Sequence, residues 1–189
     1  MKGAVYTRAV KFLLVAISLF ALVAPTAPAF GDPGAALSLM SPKPVKPAKD
    51  FRVSAPNNRP LTLADFKGKV IFLNFWATWC KPCEEEMPGM ERLYQKYKDK
   101  GLVVLAISED ADSSADGVAA FVKKHGLTFP IGLDPKMSVA ASYGVWALPS
   151  TFIIDRQGNR AHFANGPREW DGQAARDLFD SMLKPARER

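Results

Sequence analysis

The sequence predicts an α/β fold, a central mixed β-sheet flanked by helices, with an N-terminal β-hairpin. Three observations carry this. Val70-Ile71-Phe72-Leu73-Asn74-Phe75 is almost continuously apolar, with Asn74 its polar exception, as in a strand buried on both faces. A charged segment follows whose apolar residues (Met87, Met90, Leu93, Tyr94, Tyr97) recur at three and four, and then a second apolar run, Leu102 to Ile107. That is strand, helix, strand, a unit that packs as a helix-covered sheet. Between the first strand and the helix lies Trp79-Cys80-Lys81-Pro82-Cys83, which holds the chain's 2 cysteines.

The elements follow in order. Lys2, Arg8 and Lys11 accompany an apolar run, Phe12 to Ala24, and Ala27-Pro28-Ala29 is a small-x-small site. Residues 1–29 therefore read as a secretory signal peptide, or as an anchor if they are retained; the apolar run is short for a membrane span. Cleavage after Ala29 would remove three basic residues and no acids, so the formal charge of +6 overstates a mild balance. No basic run with interleaved aromatics suggests nucleic acid as a partner. Residues 30–50, with Pro33, Pro42, Pro44 and Pro47, read as a flexible Pro-rich linker. The folded domain is expected at 51–185.

Phe51-Arg52-Val53 and Leu61-Thr62-Leu63 form the expected hairpin around Asn57-Asn58-Arg59-Pro60, and Asp65 to Lys69 turns the chain into the central strand. The helix after Cys83 carries acids in its first turns and lysines near its end, matching its dipole, and stops at Gly101. Pro88 inside it predicts a kink. Ser114 to His125 reads as a helix, with His125 at its end. Thr128 to Leu133 contains a short strand, and Lys136 to Tyr143 a short helix. Thr151 to Ile154 and Asn159 to Ala164 pair across Asp155-Arg156-Gln157-Gly158, with His162 expected exposed. Asp171 to Leu183 is the closing helix.

The cysteine pair has several possible chemistries. Structural zinc usually needs four Cys or His ligands; this chain has 2 of each, with His125 and His162 far away in sequence. Haem attachment needs C-x-x-C-H, and Glu84 follows Cys83. A purely structural disulfide across so short a loop gains little loop entropy. A redox-active dithiol fits best. Cys80 at a helix N-terminus sits among unpaired N–H groups at the positive end of the dipole, which favours thiolate. Cys83, about one turn on, is placed to attack a mixed disulfide formed at Cys80. Lys81 adds a cation beside the thiolate.

Longer stretches sharpen the picture: L-x-x-F-K-G-K-V at 63–70, N-F-W-A-T-W-C-K-P-C-E-E-E-M-P at 74–88, L-D-P at 133–135, Y-G-V at 143–145 and L-P-S-T-F-I-I-D at 148–155. Together they resemble the thioredoxin superfamily, and most closely its TlpA/ResA-type branch of exported thiol-disulfide oxidoreductases, over residues 60 to 184. The resemblance implies a thioredoxin-like fold. It makes Cys80 the exposed attacking thiol and Cys83 the buried resolving thiol. Trp79 becomes the tryptophan beside the motif, Pro88 the helix-kinking proline, and Pro149 a cis-proline that presents the backbone of Leu148 to substrate. Pro60, Pro130 and Pro135 are expected trans. In thioredoxin proper the position of Asn74 is a buried aspartate that assists proton transfer at the resolving cysteine; an asparagine cannot accept that proton. Glu86 matches a glutamate of the TlpA/ResA-type branch that would supply the missing carboxylate, while Glu84 and Glu85 read as a solvated helix face.

The resemblance further implies a periplasmic or otherwise extracytoplasmic protein disulfide reductase. Its expected substrates are protein disulfides, with apocytochrome c thiols or an oxidase subunit's metal-site cysteines as candidates. A membrane electron donor of thiol-disulfide type would recharge it, and no cofactor or metal is expected. A disulfide oxidant or isomerase is the runner-up. A different class, a copper or haem delivery module without redox turnover, is separated by whether the metal-free domain reduces a protein disulfide. A peroxidase is disfavoured by the W-C-x-x-C pattern.

Overall fold

The computed structural model describes residues 34–111 and 115–184. The predicted leader lies outside them, and among the described residues no helix is long and apolar enough to cross a membrane. Eight strands form one mixed sheet: β1 (Lys46–Pro47), β2 (Arg52–Ser54), β3 (Pro60–Thr62), β4 (Val70–Trp76), β5 (Leu102–Ser108), β6 (Ile131–Leu133), β7 (Ser150–Ile154) and β8 (Asn159–Asn165), in the order β1-β8-β7-β4-β5-β6-β2-β3. β4 runs parallel to β5 and antiparallel to β7, with Asn74 opposite Ala106 and Thr151. All of β4 is buried, as its apolar run predicts.

Four helices cover the two faces: α1 (Lys81–Tyr97), α2 (Ala115–Lys124), α3 (Ser138–Tyr143) and α4 (Gln173–Met182). Alternation along β4 sorts the core. Phe72 and Trp76 point into a cluster with Met87, Met90 and Tyr97 of α1, Val118 of α2, and Leu178 and Phe179 of α4. Ile71, Leu73 and Phe75 point the other way, against Val139, Ala140 and Tyr143 of α3. The predicted hairpin is present as β2 and β3. Helix α1 runs through Pro88 to Tyr97, and the chain then turns at Gly101, in the left-handed conformation at φ 100° that glycine adopts without a Cβ clash. Met87 and Met90 are both fully buried. His162 is half-buried, not exposed, and its Nδ1 lies 2.9 Å from the Ser41 hydroxyl.

The expectation of a linker at 30–50 is corrected over its described part. Leu37 and Leu39 are buried in the α1/α4 core. Met40 bridges Phe163, and Lys46 and Pro47 pair with Arg160 and Asn159 as an added edge strand. The Tyr143 hydroxyl donates to the Lys49 carbonyl at 2.7 Å. The domain therefore begins at least as early as Gly34, and Pro47 sits on an edge strand, where a missing N–H costs little. Leu37→Ala should lower unfolding free energy by about 2–5 kcal/mol, the range for a buried leucine. Urea denaturation checks this, since a free tether predicts no change.

Candidate active site

The C-x-x-C motif sits where β4 ends and α1 begins. Asp110, just past β5, fixes the approach. Its carboxylate accepts from the Thr78 N–H (2.9 Å) and hydroxyl (2.5 Å) and from the Ser108 hydroxyl (2.7 Å). Cys80 is the N-cap of α1 and its Sγ accepts from the Cys83 N–H at 3.3 Å. The same N–H and the helix dipole would stabilise a thiolate there once the pair is reduced. Pro82, in the first turn, suits a helix start because its missing N–H has no helical partner to lose. The cysteines are joined as a disulfide, S–S 2.06 Å. Cys83 is fully buried. Cys80, expected to be exposed, is itself only 5% exposed because it caps α1 against the core, and it reaches the surface only where it borders a cavity.

That cavity, about 410 Å³, is lined by Trp79, Cys80, Pro82, Met137, Trp146 and Leu148 among others. Trp79 and Trp146 are 71% and 79% exposed, which marks a surface built for contact. The Leu148–Pro149 bond is cis, as the resemblance implies. The Pro149 carbonyl accepts from the Gly166 N–H, which ties this loop to the end of β8.

Glu86 lies behind the cysteines, one helical turn past Cys83, and is buried. Its Oε1 accepts from Asn74 Nδ2 at 3.0 Å; its Oε2 accepts from Trp170 Nε1 at 2.9 Å and the Arg168 N–H at 3.2 Å. Burial pushes the carboxyl up to about 7, against the hydrogen bonds from Trp170, Arg168 and Asn74 that hold it down. Asn74 does not replace the carboxylate. Its amide donates to Glu86 and to Thr151 Oγ1 (3.0 Å), which orients the glutamate. Glu85 is exposed, but Glu84 is only half-solvated. It pairs with Lys81 at 3.1 Å and lies 3.3 Å from His125 Nε2, linking α1 to α2. A second buried acid, Glu109, has no hydrogen bond to its carboxyl among the described residues and is pushed up to about 8 by burial and by Asp134 and Asp110.

The structure thus brings Trp79, Cys80 and Leu148 to one cavity, with Cys83 and Glu86 beneath it. Asp110, Met137, Trp146, Arg168 and Trp170 were not singled out from sequence. Only the exposed Trp146, between Y-G-V and L-P-S-T, carried a local signal, as a large apolar residue in a loop.

The AhpC/TSA family model matches residues 44–162. The chain belongs to the AhpC/TSA family. Within it, the chain is 48% identical to the thiol-disulfide oxidoreductase ResA of Bacillus thuringiensis subsp. konkukian over 139 residues, covering 74% of this chain and 76% of that one. It is 45% identical to the thioredoxin-like protein YneN of Bacillus subtilis over 111 residues, 59% of this chain and 65% of that one. A Chlorobium tepidum protein assigned as the thiol:disulfide interchange protein DsbE superposes with a TM-score of 0.67 at 31% identity, covering 74% of this chain and 97% of its own. This AhpC/TSA member has the thioredoxin-like fold and is a thiol-disulfide oxidoreductase.

Proposed function

We propose that this oxidoreductase works outside the cytoplasm as a reductant of protein disulfides. The observation that supports the chemistry best is Glu86, a buried carboxyl poised near neutrality one turn from a fully buried Cys83. The Cys80 thiolate attacks a substrate disulfide. One new S–S bond forms, the substrate S–S bond breaks, and one substrate thiolate leaves. Glu86 takes the Cys83 proton, and the Cys83 thiolate attacks Cys80 Sγ. The second substrate sulfur leaves as a thiolate, which the protonated Glu86 or solvent then protonates, and the protein is left oxidised by two electrons. Trp79, the Leu148 backbone and Pro149 hold the substrate strand against Cys80.

The reductive direction rests on the resemblance to the TlpA/ResA-type branch and on the leader-like 1–29. A reductant in an oxidising compartment needs a donor dithiol, which we place at a membrane partner of thiol-disulfide type. Apocytochrome c disulfides lead as substrates, followed by the metal-site cysteines of an oxidase subunit. Equilibration with glutathione or a dithiol buffer tests the direction. The Cys80/Cys83 pair is expected near or below about −200 to −270 mV; a value near about −120 mV would make the protein a disulfide donor.

A further inference from the structure

A second cavity adjoins the first, and its chemistry differs. It measures about 280 Å³ and lies on the α3 side of the sheet. Lys46, Arg160 and Asn165 provide its polar groups, and Tyr143, Trp146 and Phe152 its aromatic ones. Trp146 borders both cavities, so it forms the divide between them.

The two cations stand in an unfavourable arrangement. Lys46 of β1 and Arg160 of β8 are direct cross-strand partners, and like charges directly opposite each other on neighbouring strands destabilise a sheet. Among the described residues neither makes an ion pair with a carboxylate. Asp50, the acid that bears on Tyr143, accepts from the Phe51 N–H instead. Arg160 is half-buried, its Nε is buried without a hydrogen-bond partner, and its guanidinium lies 5.9 Å from the Tyr143 ring centroid. A tyrosine face attracts the cation but does not satisfy its N–H groups. Two unneutralised cations beside aromatic walls form a receptor for a carboxylate carried on an apolar body.

We infer that this second cavity is a specificity subsite for the polypeptide substrate. It accepts an acidic side chain a few residues from the reacting cysteine, after the chain has crossed Trp146. The inference rests on the disulfide-reductase reading, because it takes the peptide at Cys80 as its starting point. It selects acidic segments, and the added anion would relieve the Lys46–Arg160 repulsion.

The test uses the full chain and matched disulfide peptides that differ only in carrying Glu, Gln or Lys near the cysteine. The wild type should reduce the Glu peptide with a kcat/KM about fivefold above the Gln peptide, with the Lys peptide lowest. The advantage should lie in KM and shrink with added salt. It should approach unity in Lys46→Gln/Arg160→Gln, fall partway in Lys46→Gln alone, and largely persist in Arg160→Lys. Far-UV circular dichroism checks that the variants fold, and Lys46 is exposed on an edge strand, so its variant reads the subsite even if Arg160 variants misfold. A wild-type ratio near one, or a ratio unmoved in the folded variants, overturns the subsite. Binding of cysteine-to-serine versions of the same peptides separates the two readings. Acidic preference in binding without any reduction would sink the reductase and keep the subsite; reduction of all peptides without preference would do the reverse.

Discussion

Cys80→Ser should abolish turnover, while Cys83→Ser should stop the cycle one step later and accumulate the protein as a covalent adduct with its substrate. The difference follows from where the two sulfurs lie. Cys80 opens to the groove between Trp79 and Leu148, so only it meets an incoming disulfide. Cys83 is fully buried, and its N–H points at the sulfur it would attack. Removing Cys80 removes the nucleophile. Removing Cys83 leaves the first exchange intact and deletes the thiol that releases the product. Each loss should approach the background of the assay, because no third cysteine exists to substitute. Non-reducing gel electrophoresis with mass spectrometry reads the outcome. A Cys83→Ser protein that turned over at the wild-type rate would show that resolution comes from an external thiol.

Glu86→Gln should slow turnover by about 10²-fold, the lower end of what a positioned base contributes. It should also remove the limb of the pH–rate profile whose apparent pKa is near 7. The amide oxygen can still accept from Trp170 and the Arg168 N–H, and its NH2 then meets the Asn74 amide, which must present its Oδ1 instead; the proton acceptor disappears. A purely structural Glu86 would lower stability and leave the shape of the profile unchanged. Stability carries a second, independent signature. The folded-state pKa is raised from 4.5 to about 7 by burial, so the folded protein binds this proton more tightly than the unfolded chain. The associated stabilisation is complete below about pH 4.5 and is lost as pH rises through about 7. The loss amounts to about 3 kcal/mol at full deprotonation, at about 1.4 kcal/mol per pH unit. Glu109, raised for similar reasons, loses stability in the same direction at higher pH. Urea melts at pH 5 and pH 9 therefore isolate Glu86 as the difference between wild type and Glu86→Gln, whose relative stability should rise with pH.

Local patterns made much of this molecule legible in its sequence. The apolar β4 run, the three-and-four spacing of α1 and the turn residues around Gly158 each fold much as their chemistry demands, since neighbours in the chain enforce them. The C-x-x-C motif announces itself because strand, turn and helix start are contiguous. What the sequence hid depends on contacts far apart in the chain. The resemblance singles out Glu86 from its two acidic neighbours, but the burial that sets its proton affinity comes from Arg168 and Trp170, more than eighty residues away, closing over it. Leu37 and Leu39 look like stray leucines in a proline-rich stretch, and nothing local says that β8 offers that stretch an unpaired edge. Asn74 looks like a lost carboxylate, but the Asn74–Glu86 pair moves the acid from strand to helix and keeps a donor in its former place.

The packing of residues 34–50 has a mechanical consequence. As an unstructured run, those residues would extend to about 55–60 Å and let the domain swing freely from whatever precedes Gly34. Laid along the core and β8 instead, they add almost nothing to its reach. The Leu37 carbonyl accepts from Arg168 Nε at 2.8 Å, and the N–H of that same Arg168 donates to Glu86. The point where any upstream chain joins the domain is therefore only two hydrogen bonds from the proton-accepting carboxyl. One arginine thus joins the N-terminal segment to the proton-accepting carboxyl, so the packing of residues 34–37 and the surroundings of Glu86 share a single residue.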